Sequence, residues 1–193
     1  TYMLGSFNGK VFKPEMGKYQ YTTGSIYAAQ TFTNMPDGRR IQIGWGRISH
    51  PGMPFNGMMC LPTELTLRTT KDGPRLFNVP IKESEQLFTP LRQWNSLKAN
   101  EANELLKEFE NADCLRIKTI NGVFYSPDDM TSMEITADIY IDRTSIEVFV
   151  DNGAYSFSMV RKPDKNNKEG FHFWGNNIDI KDLQVFGVKS IWD

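Results

Sequence analysis

The sequence predicts an all-β protein, on three observations. Apolar residues recur with a period of two over much of the chain, which is typical of strands. The segments with this period are short, and runs of turn-forming residues separate them, as at 35–38 (MPDG) and 71–74 (KDGP). Only one stretch has a helical period. Many short strands separated by turns favour a sandwich, a barrel or a propeller.

The first half of the chain is predicted to contain three strands, at residues 27–32, 40–45 and 64–69. The pattern weakens between about Pro80 and Pro90, and we place a module boundary there. A short amphipathic helix is predicted beyond it, over about residues 101–110, with Asn100 as its cap. The apolar residues that define this helix, at positions i, i+3, i+4 and i+7, are Ala102, Leu105, Leu106 and Phe109.

The second half contains the clearest alternation, at residues 133–141. Its odd-numbered residues are apolar and most of its even-numbered ones are polar, which predicts a half-buried antiparallel strand. A turn leads to a strand at 145–150, and Asn152-Gly153 supplies the positive φ angles of a tight hairpin. Residues 154–160 are therefore the predicted third strand of a meander. Further strands are expected at 115–120, 171–174 and 183–188.

Composition excludes several functional classes. Lys and Arg total 22 against 23 Asp and Glu, so no basic surface for nucleic acid is expected. The apolar runs are too short for a membrane-spanning helix. Cys60 and Cys114 lie far apart and have no C-x-x-C spacing, so we predict no zinc site or other cofactor and regard a bridge between them as a minority alternative. Because the chain begins at Thr1 without a leader-like segment, we expect that it derives from something longer.

Five segments in order along the chain carry a family resemblance. They are SIYAAQTF (25–32), GRRIQIGW (38–45), GMMCLPTELTL (57–67), IDRTSIEVFVDNG (141–153) and the closing residues 183–192. Together they resemble glycoside hydrolase family 32, the family of levanases, inulinases and invertases. One departure is Thr63, which stands where the family usually has Arg.

The resemblance implies a fold and a cellular location. Family members combine a five-bladed β-propeller, which holds the active site, with a carboxy-terminal β-sandwich. On that template residues 1–85 are the remnant of the last blade or blades, and residues 90–193 are the sandwich. A periplasmic or extracellular location is implied in the same way, since members that act on polymeric fructan are usually exported.

The residues that catalysis needs are not found in this sequence. Retaining glycosidases use two carboxyl groups about 5–5.5 Å apart. The family places its carboxylates in W-M-N-D-P-N-G, R-D-P and E-C motifs, and none of these occurs here. Glu147 and Asp151 are four residues apart on one strand, roughly 13 Å at about 3.3 Å per residue, and a solvated strand face is expected for them. His50 and His172 lack a nucleophile in a recognisable context, so we predict no catalytic residue and no activity of this chain alone.

Three residues are candidates for contact with sugar. Trp45 occupies the position of a sugar-facing tryptophan in the family, and the alternative is a core or interface role. Tyr27 and Gln30 are further candidates, for which a structural role is the preferred interpretation. The family's D-Y-G-x-D motif is replaced by YTTGS at residues 21–25, so the acidic sugar ligands of that motif are missing and substrate contact is expected to differ.

The resulting functional hypothesis is the carboxy-terminal portion of a fructan β-fructosidase that completes and supports the propeller. The expected partner is a fructan or sucrose-type saccharide, bound through the complete protein. The alternatives are a lectin-like carbohydrate-binding module, with the polar loops at 166–170 and 175–177 as candidate contacts, and a structural or dimerisation module. A homodimer through exposed strand edges is a further hypothesis. Exposed aromatic residues on the sandwich would favour binding.

Overall fold

The computed structural model describes residues 1–51, 54–112, 114–126, 129–161, 172–174 and 178–189, and of residues 120–126 and 129–134 the backbone alone. These residues form fourteen strands and one α-helix. The strands are β1 (Tyr2–Phe7), β2 (Phe12–Tyr19), β3 (Thr22–Gly24), β4 (Ile26–Thr31), β5 (Ile41–Gly46), β6 (Met58–Met59), β7 (Thr63–Thr70), β8 (Gly73–Pro80), β9 (Phe88–Lys98), β10 (Leu115–Ser126), β11 (Asp129–Ile141), β12 (Ser145–Val150), β13 (Tyr155–Val160) and β14 (Asp179–Val188).

The first sheet has five strands and comes entirely from the first half of the chain. Its order is β4-β5-β7-β8, and β6 pairs with β5. The three strands predicted in this half are confirmed as β4, β5 and β7. Strand β8 is not among the predicted strands, although the turn before it is predicted. In that turn the Thr70 hydroxyl donates to the carbonyl oxygen of Gly73 at 2.7 Å, which closes the β7–β8 hairpin.

The second sheet has seven strands in the order β3-β13-β12-β11-β10-β14-β9. The predicted meander is confirmed as β11-β12-β13, and the turn at its second hairpin has positive φ at Asp151, Asn152 and Gly153. Strand β3, from the first half, pairs in parallel with β13. The sheet therefore joins distant parts of the chain.

One face of the seven-stranded sheet is apolar and is covered by the helix. Helix α1 spans Ala99–Leu106 and continues as a 3-10 turn over Lys107–Phe109. Its predicted place is confirmed, but the predicted cap at Asn100 is wrong. Lys98 is the N-cap, and its backbone N–H donates to the Glu101 carboxylate at 2.7 Å. The buried core beneath the helix consists of Ala102, Leu106, Leu115, Ile117, Ile141, Ile180, Leu183 and Val185.

The opposite face of this sheet is also buried over part of its area. Tyr140 and Phe149, which point away from α1, are 7% and 5% exposed. The prediction of a half-buried strand at 133–141 is therefore wrong at its carboxy-terminal end. The reason is that residues before position 90 cover this face, including the 3-10 helix Lys82–Leu87 that occupies the predicted boundary stretch.

The remaining strands, β1 and β2, form a hairpin that pairs with no other strand among the described residues. The Tyr2 hydroxyl accepts the backbone N–H of Leu76 at 2.9 Å, which ties the hairpin to β8. A strand predicted at 171–174 is not formed by residues 172–174, and Phe171 lies outside the described residues. The division of the chain at residues 85–90 stays a prediction.

Both cysteines are free, so the minority alternative of a Cys60–Cys114 bridge is wrong. In the described part of the chain, no helix combines the length and hydrophobicity needed to cross a membrane. Over the same residues, no cluster of His, Cys, Asp or Glu side chains has a metal-binding arrangement.

Candidate functional site

A β-bulge brings the three predicted sugar-contact residues to one face of the five-stranded sheet. Tyr27 pairs with Trp45 and Gln30 pairs with Ile43, so β4 has one residue more than β5 between these pairs. The bulge includes Ala28, which has a φ of 46°. Directly opposed residues of an antiparallel pair point to the same side. Without the bulge, Gln30 would lie on the face opposite Tyr27.

This face is open to solvent. Tyr27 and Trp45 are 57% and 41% exposed, and their rings meet edge to face with centroids 6.4 Å apart. Met59 lies opposite Trp45 on β6 and is also exposed, as is Gln30. We call Tyr27, Gln30, Trp45 and Met59 the aromatic surface. The core alternative for Trp45 does not fit this exposure, and the role of the residue in sugar contact stays a prediction.

The Trp45 ring is held by the loop that follows it. Gly57 has a φ of 76°, and a side chain there would overlap the indole nitrogen of Trp45. The backbone N–H of Gly57 donates to the Ile48 carbonyl at 2.9 Å, which fixes the position of Gly57 beside the ring. On the other side, the Arg47 guanidinium lies 5.0 Å from the centre of the Tyr27 ring. The aromatic surface can therefore offer a fixed ring face for stacking and the Gln30 amide for hydrogen bonds.

The stretch that replaces the family's acidic motif has a structural role. Residues Thr22–Gly24 form β3, and the backbone N–H of Ser156 donates to the Tyr21 carbonyl at 3.0 Å. The Tyr21 hydroxyl donates to the Gln42 side-chain oxygen at 2.8 Å. The segment thus links the two sheets and offers no carboxylate for a sugar.

Glu147 is buried, which contradicts the expectation of a solvated position. Only 8% of the residue is exposed, and its carboxylate oxygens accept the backbone N–H of Leu61 at 3.0 and 3.2 Å. Burial raises the pKa of Glu147 to about 7, against the opposing effect of the Leu61 N–H. Such a pKa suits a general acid. The carboxylate is nevertheless enclosed between the two sheets, where a substrate cannot reach it.

Two pairs of carboxylates do come together, and each surrounds an arginine. Asp37 and Glu83 both bind Arg39, and Glu85 and Asp138 both bind Arg116. The hydrogen bonds from Arg39 lower the pKa of Glu83 to about 2, and those from Arg116 lower the pKa of Glu85. A glycosidase acid needs a raised pKa.

These two pairs are therefore ion-pair networks, and they do not have the properties of a retaining pair. The prediction that this chain carries no catalytic residue stays a prediction.

Arg116 is the centre of the ion-pair network with Glu85 and Asp138, and the sequence analysis does not predict this role. Its side chain is 1% exposed, and its guanidinium donates to Glu85 at 2.6 and 2.8 Å and to Asp138 at 2.9 Å. The rings of Phe88 and Tyr140 lie 4.5 and 4.9 Å from the guanidinium carbon. A charged residue between Leu115 and Ile117 is the only signal of this role in the sequence.

The polar loops at 166–170 and 175–177, the candidate contacts of a carbohydrate-binding module, lie outside the described residues.

Comparison with known proteins gives the chain a family. Residues 1–80 match the glycosyl hydrolases family 32 N-terminal domain, and residues 59–187 match the glycosyl hydrolases family 32 C-terminal domain. A levanase from Bacillus sp. strain L7 is 27% identical over 241 aligned positions, which cover 95% of this chain and 26% of that protein. A sucrose-6-phosphate hydrolase from Zymomonas mobilis is 26% identical and is covered to 46%. The chain therefore spans less than half the length of these relatives.

Solved structures show the same fold. The exo-inulinase from Aspergillus awamori has a TM-score of 0.66 at 13% identity, and the match covers 98% of this chain and 50% of that one. Fructan 1-exohydrolase IIa from Cichorium intybus has a TM-score of 0.65 at 15% identity, with 97% and 54% coverage. With both family domains matched in order over most of its length, this chain belongs to glycosyl hydrolase family 32.

Proposed function

We propose that this chain acts as the carboxy-terminal portion of a fructan β-fructosidase, in which it completes and supports the propeller. Residues 1–85 would supply the last part of the propeller and residues 90–193 the sandwich. The matched family domains and the two levanases among the relatives support this assignment. A periplasmic or extracellular location is part of the same proposal, because an enzyme that acts on polymeric fructan would find its substrate outside the cytoplasm.

The observation that carries the proposal is the set of buried polar contacts between the two sheets. Glu147 on β12 accepts the N–H of Leu61, which precedes β7. Asn78 on β8 donates its side-chain amide to the Ser156 hydroxyl at 3.0 Å, and its backbone N–H to the Gly153 carbonyl at 2.8 Å. Buried polar groups are costly unless paired, so these contacts specify one relative position of the sheets. This is what a supporting role requires.

A fructosyl unit is the ligand that we propose for the aromatic surface. Trp45 and Tyr27 would stack on the apolar patches of the ring, and Gln30 would hydrogen-bond its hydroxyl groups. Trp45 is 41% exposed, so part of its ring is accessible to a ligand. Polymeric substrates are proposed because levanases are among the relatives of this chain.

A binding module without catalysis is the second candidate, and one observation favours it. Trp174 is 86% exposed and Tyr155 is 63% exposed, both in the second half of the chain. Exposed aromatic rings are common in surfaces that stack on sugars. Phe173, which precedes Trp174, packs on the core, and its backbone makes two hydrogen bonds to the Asn103 side-chain amide, at 2.7 and 3.1 Å. The backbone before the Trp174 ring is therefore fixed.

Fructose release and sugar retention, measured on the same purified chain, separate the two candidates. The substrates are levan, inulin and sucrose, and binding is followed by affinity electrophoresis in gels that contain levan. We expect no release from any of them. Retention that is lost in Trp174→Ala and kept in Trp45→Ala would favour the binding module. Turnover that survives repurification would contradict the assignment of catalysis to residues outside this chain.

A further inference from the structure

A polar cleft of about 400 Å³ lies between the end of β8 and the seven-stranded sheet. One wall is formed by Val79 and Pro80, and the floor is formed by side chains of β10, β11 and β14. Clefts of this size accommodate ligands as large as a small oligosaccharide. The cleft is separate from the aromatic surface, since the two share no residue.

A row of polar side chains runs along the floor of the cleft and continues beyond it to Gln93. Lys118 on β10 lies directly opposite Asp138 on one side and Gln184 on the other, and Gln184 lies opposite Gln93 on β9. Directly opposed residues share a face, so these four side chains form one row across four strands. Charged and amide groups in a row offer hydrogen-bond donors and acceptors at regular spacing, which a chain of hydroxyl groups can use.

Asp182 is a fixed acceptor at the edge of this row. Gln93 donates to one of its carboxylate oxygens at 2.9 Å, and Gln184 donates to the other at 2.6 Å. Each carboxylate oxygen has a second lone pair, so both can still accept a hydroxyl proton. The two amides fix the orientation of the carboxylate before any ligand arrives, which lowers the entropic cost of binding.

The charges in the cleft favour a neutral ligand. Among the described residues, its cations are Arg116 and Lys118, and its anions are Glu85, Asp138 and Asp182. Arg116 is already occupied by Glu85 and Asp138, and it is inaccessible at 1% exposure. The accessible cation is Lys118, whose side chain is 42% exposed and lies 3.8 Å from Asp138. An incoming anion would therefore meet a surplus of carboxylates, whereas a hydroxyl-rich neutral molecule would meet acceptors.

We propose that this cleft binds a neutral saccharide chain, with Asp182 accepting hydrogen bonds from its hydroxyl groups and Lys118 donating to its oxygens. The choice of a saccharide among neutral polyhydroxy ligands rests on the proposed function. The charge balance also narrows the substrate class of that function, because it favours unphosphorylated fructan over a phosphorylated sugar such as sucrose 6-phosphate. Tyr140 and Phe149, which are largely buried, add apolar atoms to the lining of the cleft.

The test is a titration of the ¹⁵N-labelled chain, followed by NMR. The probes are short inulin-type and levan-type oligosaccharides, and sucrose 6-phosphate serves as the anionic comparison. We expect the neutral oligosaccharides to shift the side-chain amide signals of Gln93 and Gln184. Asp182→Ala should weaken binding about tenfold or more, as for the loss of a hydrogen bond to a charged group. Asp182→Asn keeps the shape of the side chain and should have a smaller effect.

The matched control is Asp179→Ala, on the same strand. Asp179 is ion-paired to Lys98 at the start of β14 and does not line the cleft, so its loss should leave binding unchanged. Binding that is lost in Trp45→Ala but kept in Asp182→Ala would overturn the cleft site and leave the proposed function intact. Equal or tighter binding of sucrose 6-phosphate would overturn the selection for neutral ligands. Fructose release by the chain alone would contradict the proposed function, but it would not change the conclusions on the cleft site or on its selection for neutral ligands.

Discussion

Glu147 is expected to make the protein less stable as the pH rises, and Glu147→Gln is expected to remove this effect. The carboxyl group has an ordinary pKa of 4.5 and a pKa of about 7 in the folded chain, because it is buried between the two sheets. Between these values the folded state holds a proton that the unfolded state has released. The free energy of unfolding therefore falls as the pH rises from 4.5 to 7 and stays low above that.

The size of the effect follows from that interval. One pKa unit corresponds to about 1.4 kcal/mol, so the interval amounts to about 3 kcal/mol in the free energy of unfolding. Arg39 lowers the pKa values of Asp37 and Glu83, and Arg116 lowers that of Glu85, so these three carboxylates act in the opposite direction at lower pH. Glu83, whose pKa falls to about 2, stabilises the fold as the pH rises from 2 to 4.5. The two effects therefore occupy different pH ranges.

Urea unfolding followed by circular dichroism measures the difference. Gln cannot ionise, and its side-chain oxygen can still accept the N–H of Leu61. Glu147→Gln should thus equal the parent chain at pH 4.5 and exceed it by up to about 3 kcal/mol at pH 8. Glu104→Gln, at an exposed position on α1, is the control and should change stability little at either pH. A Glu147→Gln variant that is less stable than the parent at pH 8 would refute the reasoning.

Three further perturbations have defined outcomes. Arg116→Met removes the hydrogen bonds to Glu85 and Asp138, whose side chains are partly exposed, and should cost about 2–3 kcal/mol in urea unfolding; a loss under about 0.5 kcal/mol would contradict a structural role for this network. Gly153→Ala should destabilise by several times the roughly 1 kcal/mol expected for Gly9→Ala, since both glycines have positive φ but only Gly153 lies against another backbone. Equal melting temperatures for those two variants would argue against the close contact. Trp45→Ala should reduce retention in levan gels while Trp174→Ala does not, and the reverse result would move the proposed fructosyl site to the second half of the chain.

The strands with strict alternation could be predicted from the sequence because each pattern is local. Residues 145–150 were predicted as a strand and form β12 with the same bounds. The Asn152-Gly153 turn was also recognised, since its positive φ values require particular residue types. The prediction failed where the outcome depends on residues that are distant in the sequence.

Glu147 shows why the rest could not be predicted. Its partner, the backbone N–H of Leu61, lies 86 residues away, so a strand with one polar face looked solvated. Gln30 is a second case, because a one-residue bulge near Ala28 moves it to the face of Tyr27. Both outcomes depend on register and on contacts between sheets, which a local period cannot specify.

Native-state hydrogen exchange tests the central claim, that the seven-stranded sheet supports the five-stranded sheet. Amides of β5 and β7 are compared with amides of β10 and β14 at increasing urea concentration. If the buried contacts join the two sheets, both sets should exchange with one opening free energy, equal to that of global unfolding. Exchange of β5 and β7 at a clearly lower free energy, with β10 and β14 still protected, would show that the first sheet unfolds alone and would contradict the supporting role.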